Sequence, residues 1–289
     1  MHYEGNVIRP PSEWNSIILQ VTVGCSHNKC TFCGAYKDVN FRIKDDETVL
    51  NDIAFAAAQC RRQKRGFLAD GDVLILSQKR LIRILKAIRE QLPWVTRVTL
   101  YANAKAMLSK TTEQLQELKR LGLSRVYMGL ESGNSQVLRN IRKGADPEKM
   151  IRAAQHVKNA GLFLSVTVLL GIGGTTLSSE HAKDTGLVLS QMKPNQIAAL
   201  TLMVMENTPL FHGLQNGAFS LPDTATLLSE LYTLVEHINV DRAQLQANHA
   251  SNYLEINCRL PRDKEKILQE IKDAQQGGIQ LRPEHMRRL

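Results

Sequence analysis

No stretch of this 289-residue sequence carries the run of roughly 18 to 20 apolar residues that a membrane-spanning helix needs. The opening MHYEGNVIRPPSEWNS has no apolar signal core either, which points to a cytoplasmic protein. Cysteine is scarce: five residues cannot frame a disulfide scaffold in a chain long enough to bury a substantial core. There is no internal repeat, which excludes a solenoid, and no low-complexity linker. Acidic residues are the minority charge, 28 against 37 basic, leaving +9. Such a surface attracts anions: phosphates, polycarboxylates, RNA or an acidic partner. The densest basic run, Arg61, Arg62, Lys64 and Arg65 before Gly66, reads as the cationic end of a helix.

What is present is a rhythm of strand and helix. Apolar, β-branched runs predict strands at Ser16–Val23, Gly66–Ala69, Arg97–Tyr101, Ser124–Leu130, Leu162–Leu170 and Gln196–Val204. Between them helices are expected over 47–65, around Leu81, Leu85, Ile88 and Leu92 up to Pro93, from a capping box at Thr111 to Gly122, from Asp146-Pro147 to Gly161, and over 178–192. Six such units imply a parallel sheet with right-handed crossovers, whose reactive loops lie at the carboxyl ends of the strands. Those ends read GCSHNKCTFC, ADGD, YANAK, GLESG, GIGGTT and MENTP, where polar residues and glycines gather. After residue 215 the pattern changes to a helix over 224–239, a further strand and loop in QLQANHASNYLEINCRL, and a charged helix from about Pro261. The domain reading is an N-terminal extension (1–15), a core (16–215) and a C-terminal extension (216–289).

Three of the five cysteines, Cys25, Cys30 and Cys33, crowd the loop after the first strand with the spacing C-x4-C-x2-C. Three thiolates on one loop suit three irons of a cubane cluster and leave the fourth open to a substrate or cofactor. The competing metal is zinc, bound by the same thiols together with His27.

With Phe32 before the last cysteine, the loop resembles that of radical S-adenosylmethionine (radical SAM) enzymes, and the likeness runs from about residue 16 to about 210. The first gap is one residue longer than the commonest spacing. The resemblance implies a partial (β/α)6 TIM-type barrel with parallel strands, here followed by a small C-terminal α/β extension. It implies a [4Fe–4S] cluster on Cys25, Cys30 and Cys33, and S-adenosylmethionine (SAM) as second cofactor. Asp70-Gly71-Asp72 occupies the place of the motif that meets the methionine amino group, where the family more often has Gly-Gly-Glu. Glu131 and Ser132 of GLESG, and Leu170, Gly171 and Ile172 of the fifth strand's end, are the matching cofactor contacts, with Phe32 beside the cluster.

The chemistry so implied is reductive cleavage of SAM to methionine and a 5′-deoxyadenosyl radical that abstracts hydrogen from substrate, with a flavodoxin or ferredoxin as electron donor. Cys60 and Cys258 are too few for a second cluster. Substrate-side candidates are Tyr101 with Asn103, the group His249, Asn252 and Tyr253, and Cys258 as a hydrogen donor. The excess positive charge favours an anionic small-molecule substrate. A tRNA-modifying radical SAM enzyme is the alternative, and a non-enzymatic iron–sulfur or zinc protein the third reading.

Overall fold

The computed structural model describes residues 1–288. In chain order the first elements are β1 (Ile17–Gln20), β2 (Thr22–Val23), β3 (Arg42–Ile43), α1 (Asp46–Gln59), β4 (Arg65–Ala69), α2 (Gln78–Gln91), β5 (Arg97–Tyr101), α3 (Ala104–Leu108), α4 (Thr112–Arg120) and β6 (Leu123–Glu131). There follow α5 (Ser135–Asn140), α6 (Pro147–Asn159), β7 (Phe163–Leu170), α7 (Ser178–Met192), β8 (Gln196–Thr201), α8 (Pro209–Gln215), α9 (Thr224–His237), β9 (Ala243–Gln246), β10 (Asn257–Leu260) and α10 (Lys264–Gln275). The chain divides into two compact units: Met1–Asn28 with Ala35–Met128 and His156–Leu164, and Lys29–Gly34 with Gly129–Gln155 and Ser165–Leu289.

In the first unit β1, β4, β5 and β6 pair in parallel, with Ile17 opposite Gly66, Arg65 opposite Arg97 and Tyr101 opposite Tyr127. Helix α2 begins where the Ser77 side chain accepts from the Arg80 amide, and it buries the stripe Leu81, Ile84, Leu85 and Ile88. The capping box at Thr111 and Gln114 forms as its spacing predicts. The opposite face of these strands carries an aromatic cluster. Phe67 lies edge-on to Tyr101, their centroids 5.3 Å apart, and Tyr101 is 5.8 Å from Tyr127.

The N-terminal residues lie across that cluster. Val7 packs on it. The Gln20 side chain accepts from the Glu4 amide and donates to the Glu4 carbonyl, both at 2.9 Å, and Arg65 donates to the Ser12 carbonyl at 3.0 Å. The Tyr127 hydroxyl donates to the buried Glu13 carboxylate at 2.6 Å. Burial and this anionic acceptor push the Tyr127 phenol up to about 12.

In the second unit β8 pairs in parallel with β7 and with β9, and only β10 runs antiparallel, against β9. The C-terminal segment thus adds two strands, where one strand and loop are expected. Helices α7 and α9 pack together, and α9 buries Leu227, Leu228, Leu231, Leu234 and Val235.

Two expectations fail locally. The helix drawn through residue 65 ends at Gln59, where Cys60 leaves the helical region, because parallel pairing already needs Arg65 extended opposite Arg97. The basic run therefore lies in a loop and a strand end, with the Arg61 guanidinium 4.4 Å from the centre of the Trp94 ring. The strand drawn as Ser16–Val23 breaks at Val21, which donates to the Ala69 carbonyl and accepts from Lys44. Its last residues pair antiparallel with Arg42–Ile43. Among the described residues no helix is long and apolar enough to cross a membrane.

Candidate functional site

The segment between Gly24 and Gly34 has no regular secondary structure, so its shape depends on its anchors. In the first unit the anchor is the turn after β4. Asp70 and Asp72 are 1 % and 0 % exposed, yet both carboxylates reach the cysteine loop. Asp70 accepts from Gln20 at 2.7 Å and from the Gly24 amide at 3.4 Å, on one side of Cys25. Asp72 accepts from the Ser26 hydroxyl at 2.5 Å, on the other side, and from the Asn103 side chain at 2.7 Å and its amide at 3.2 Å. The two acids clasp Cys25 by its chain neighbours.

Burial raises both carboxyls above the ordinary aspartate range, Asp72 to about 6, against the pull of these donors. Lys110 opposes that rise for Asp72; its own ammonium is lowered by burial and donates to the Leu76 carbonyl at 2.5 Å. Gly71 between the acids has no room for a side chain. An added Cβ would stand 3.0 Å from the Cys25 Cβ and 3.0 Å from the Tyr36 ring. Gly71→Ala is expected to force the Cys25 backbone outward and to cost about 1–3 kcal/mol as overpacking, read as a lower urea midpoint of the metal-free protein.

The second half of the loop is anchored in the other unit. Thr31 donates its amide to the Ile141 carbonyl at 3.0 Å and accepts from the Leu210 amide at 2.9 Å. Phe32 packs on the apolar cluster of Val137, Leu138, Ile141, Ile172 and Leu202. The Asn207 amide donates to the Gly34 carbonyl at 2.9 Å, and a Cβ on Gly34 would lie 2.3 Å from the Asn207 oxygen. Cys25, Cys30 and Cys33 are each half-buried, reachable yet held. Among the described residues no three of His, Cys, Asp and Glu stand together as a ready metal site. It is the donor chemistry, three thiols on one loop of set spacing, that fits an iron–sulfur cluster.

GLESG explains itself within the second unit. Glu131 has left-handed backbone (φ 65°) and pairs with Lys143 at 2.9 Å. Gly129 leaves room for that carboxylate, which a Cβ there would meet at 2.1 Å, and Gly133 is required because one would lie 2.4 Å from the Asp184 carbonyl. Ser132, wholly buried, accepts from the Asn134 amide and pairs with His181 Nδ1 at 2.8 Å. Leu170 is buried at the end of β7, Gly171 turns the chain with φ 83°, and Ile172 shares the apolar cluster with Phe32.

The remaining candidates separate. Tyr101 belongs to the aromatic cluster, and Asn103 caps α3 while holding Asp72. His249 pairs with Ser251 at 2.9 Å, and burial and then Arg282 lower its pKa. Asn252 is buried, bonded to Thr201 and Ala199. Tyr253 donates to Glu284 beneath the Arg287 guanidinium. Cys258 is buried in β10, its thiol pushed up to about 11 by burial and by Asp263 and Glu270. Gln20, Ser26, Lys143, His181 and Glu230 escape the sequence reading. Two of them left a signal: Gln20 interrupts an apolar strand, and Glu230 falls on the leucine face of α9.

The family model described as "Radical SAM superfamily" matches residues 19–185. An uncharacterized protein of Methanocaldococcus jannaschii is 27 % identical over 163 residues, 54 % of this chain and 40 % of that protein. The anaerobilin synthase of Escherichia coli O157:H7 is 24 % identical over 212 residues, 68 % of this chain and 45 % of that one. The chain thus spans less than half the length of these curated relatives. Among solved structures, the cobalamin-dependent S-adenosylmethionine radical enzyme OxsB, with aqua-cobalamin and S-adenosylmethionine bound, covers 92 % of this chain and 46 % of its own. Its TM-score is 0.56 at 16 % identity, a likeness of fold: the α/β partial barrel with a largely parallel sheet.

Proposed function

This chain belongs to the radical SAM superfamily, and from that premise we propose that it is an enzyme whose Cys25, Cys30 and Cys33 hold three irons of a [4Fe–4S] cluster. When bound, the cluster and SAM supply a reductive cleavage that yields methionine and a 5′-deoxyadenosyl radical able to abstract hydrogen from substrate. The protein's part is placement and shielding. Asp70 and Asp72 fix the backbone on both sides of Cys25, and Gly71 lets the turn approach its Cα and Cβ. With their oxygens committed to the loop, the two acids act on SAM through the turn they shape. The Gly71 backbone would be the part of this motif that meets the methionine end. Glu131, Ser132, Leu170, Gly171 and Ile172 would make the rest of the SAM site, and Phe32, which shares one apolar patch with Ile172, would stand beside the iron–sulfur cluster.

The observation that carries this proposal is the double clasp on Cys25: two buried acids and a close-packed glycine spent on one thiol. A flavodoxin or ferredoxin delivers the electron, and the substrate is an anionic small molecule, in keeping with the +9 charge. Anaerobic reconstitution followed by dithionite and SAM tests the class. Release of 5′-deoxyadenosine with methionine is expected. Zinc uptake without iron, and no cleavage, would overturn it. The tRNA-modifying alternative parts from this one on salt-dependent tRNA binding.

A further inference from the structure

Glu230 is the most deeply buried ion in the second unit that the chemistry above leaves unused. Its side chain is 0 % exposed, and it arrives from α9, a helix outside the family match at residues 19–185. Oε1 accepts from the Gly171 amide at 2.6 Å and lies 3.1 Å from His181 Nε2, whose hydrogen bond goes to the Leu169 carbonyl at 3.1 Å, while Oε2 accepts from the Ser178 hydroxyl at 2.6 Å. Across the imidazole, Nδ1 meets the Ser132 hydroxyl at 2.8 Å. One carboxylate therefore bonds Gly171 directly and stands against the imidazole that meets Ser132. Leu227, one turn earlier on α9, closes the same contact, because a Cβ on Gly171 would lie 3.0 Å from its methyl group.

A buried carboxylate survives only where donors satisfy it, and here every neighbour on its oxygens is a donor. With the Nε2 proton on the Leu169 carbonyl and beside Glu230, Nδ1 is an acceptor for Ser132, whose oxygen in turn takes the Asn134 amide at 3.0 Å. The chain of bonds has one direction and fixes two loops together.

We infer that Glu230 is a positioning residue of the SAM site: the C-terminal helix sets the Gly171 turn and, through His181, the Ser132 turn in the arrangement that receives SAM. This rests on the SAM contacts proposed above. It assigns to residues beyond the core a part in cofactor binding that no cysteine or glycine motif announces.

The decisive variant is Glu230→Gln, nearly isosteric, which keeps an oxygen for the Gly171 amide but removes the charge that strengthens its bonds and faces the His181 ring. In anaerobically reconstituted holoenzyme, SAM binding measured by equilibrium dialysis is expected to weaken roughly tenfold or more, the scale of losing a bond to a charged group. Iron per chain should stay unchanged, since no partner of Glu230 lies in the cysteine loop. His181→Gln should weaken SAM similarly, and the double variant should be little worse than either, because both cut one chain. Leu231→Ala, which empties a buried position on the same helix, should lower the melting temperature and leave SAM affinity alone. Equal SAM binding by wild type and Glu230→Gln would overturn the inference, as would equal weakening by Leu231→Ala. Should Glu230→Gln not fold, His181→Gln against Leu231→Ala decides in the same way. Wild-type protein that holds iron but binds no SAM would instead overturn the SAM site itself.

Discussion

Cys33→Ala is expected to reduce 5′-deoxyadenosine release to background, a loss on the order of a thousandfold or more, because no side chain substitutes for cofactor-borne chemistry. Cys25→Ala and Cys30→Ala should match it, since a cubane cluster with two protein thiolates is left with two open irons. The loss should appear first as missing iron and missing visible absorbance, before any assay with SAM. Cys60→Ser is the internal control. Cys60 sits at the end of α1, where its carbonyl accepts from the Trp94 indole at 3.0 Å, and its replacement should leave iron content and cleavage unchanged. His27→Ala separates the metals. A three-thiol iron cluster keeps its iron without His27, whereas a four-ligand zinc site loses its metal. Full activity in Cys33→Ala would remove the cluster assignment.

The second large effect belongs to Asp72 and is a pH dependence. Its folded pKa of about 6 stands above the ordinary 3.8, raised first by burial. Below pH 3.8 the group is protonated in both folded and unfolded chains and contributes nothing to the difference. As pH rises from 3.8 to about 6 the unfolded chain gives up its proton first, so stability falls through that window. Above it the full cost of burying the charge is in place, about 3 kcal/mol for a shift of this size. Urea unfolding of the metal-free protein between pH 4 and 7 should therefore show wild type losing about 3 kcal/mol relative to Asp72→Asn, whose side chain does not titrate. Parallel profiles would mean that Asp72 is not held as described. The cost has a use: an ionised Asp72 holds Ser26 and Asn103 by charge-assisted bonds, and Ser26 follows Cys25.

Much of this was legible before any coordinates. Parallel strands flanked by helices announce themselves through β-branched runs such as LFLSVTVLL and through caps such as Thr111, because those signals are local in the chain. The three-thiol loop was legible for the same reason. What was hidden depends on partners far apart in sequence. Gln20 looks like a flaw in an apolar strand until Asp70 is brought beside it, and Glu230 looks like a misplaced charge until Gly171 and His181 are. The acids of the DGD turn read, by resemblance, as cofactor contacts. Their spacing gave no hint that the side chains turn back to the cysteine loop. Helix α1 ends earlier than its local composition suggests because alanine and arginine favour helix, while the pairing of β4 with β5 overrules them.

The N-terminal segment leaves one more consequence. Val7 rests on the same rings as Tyr101, and Glu4 and Ser12 bond to groups on β1 and β4, so the aromatic face of the first unit is upholstered by residues 4–13. None of those residues is a thiol of the loop or an acid of the turn after β4. Exchanging that segment between relatives would recontour this face and would also be felt at Asp70, which bonds the Ile8 backbone and shares Gln20 with Glu4.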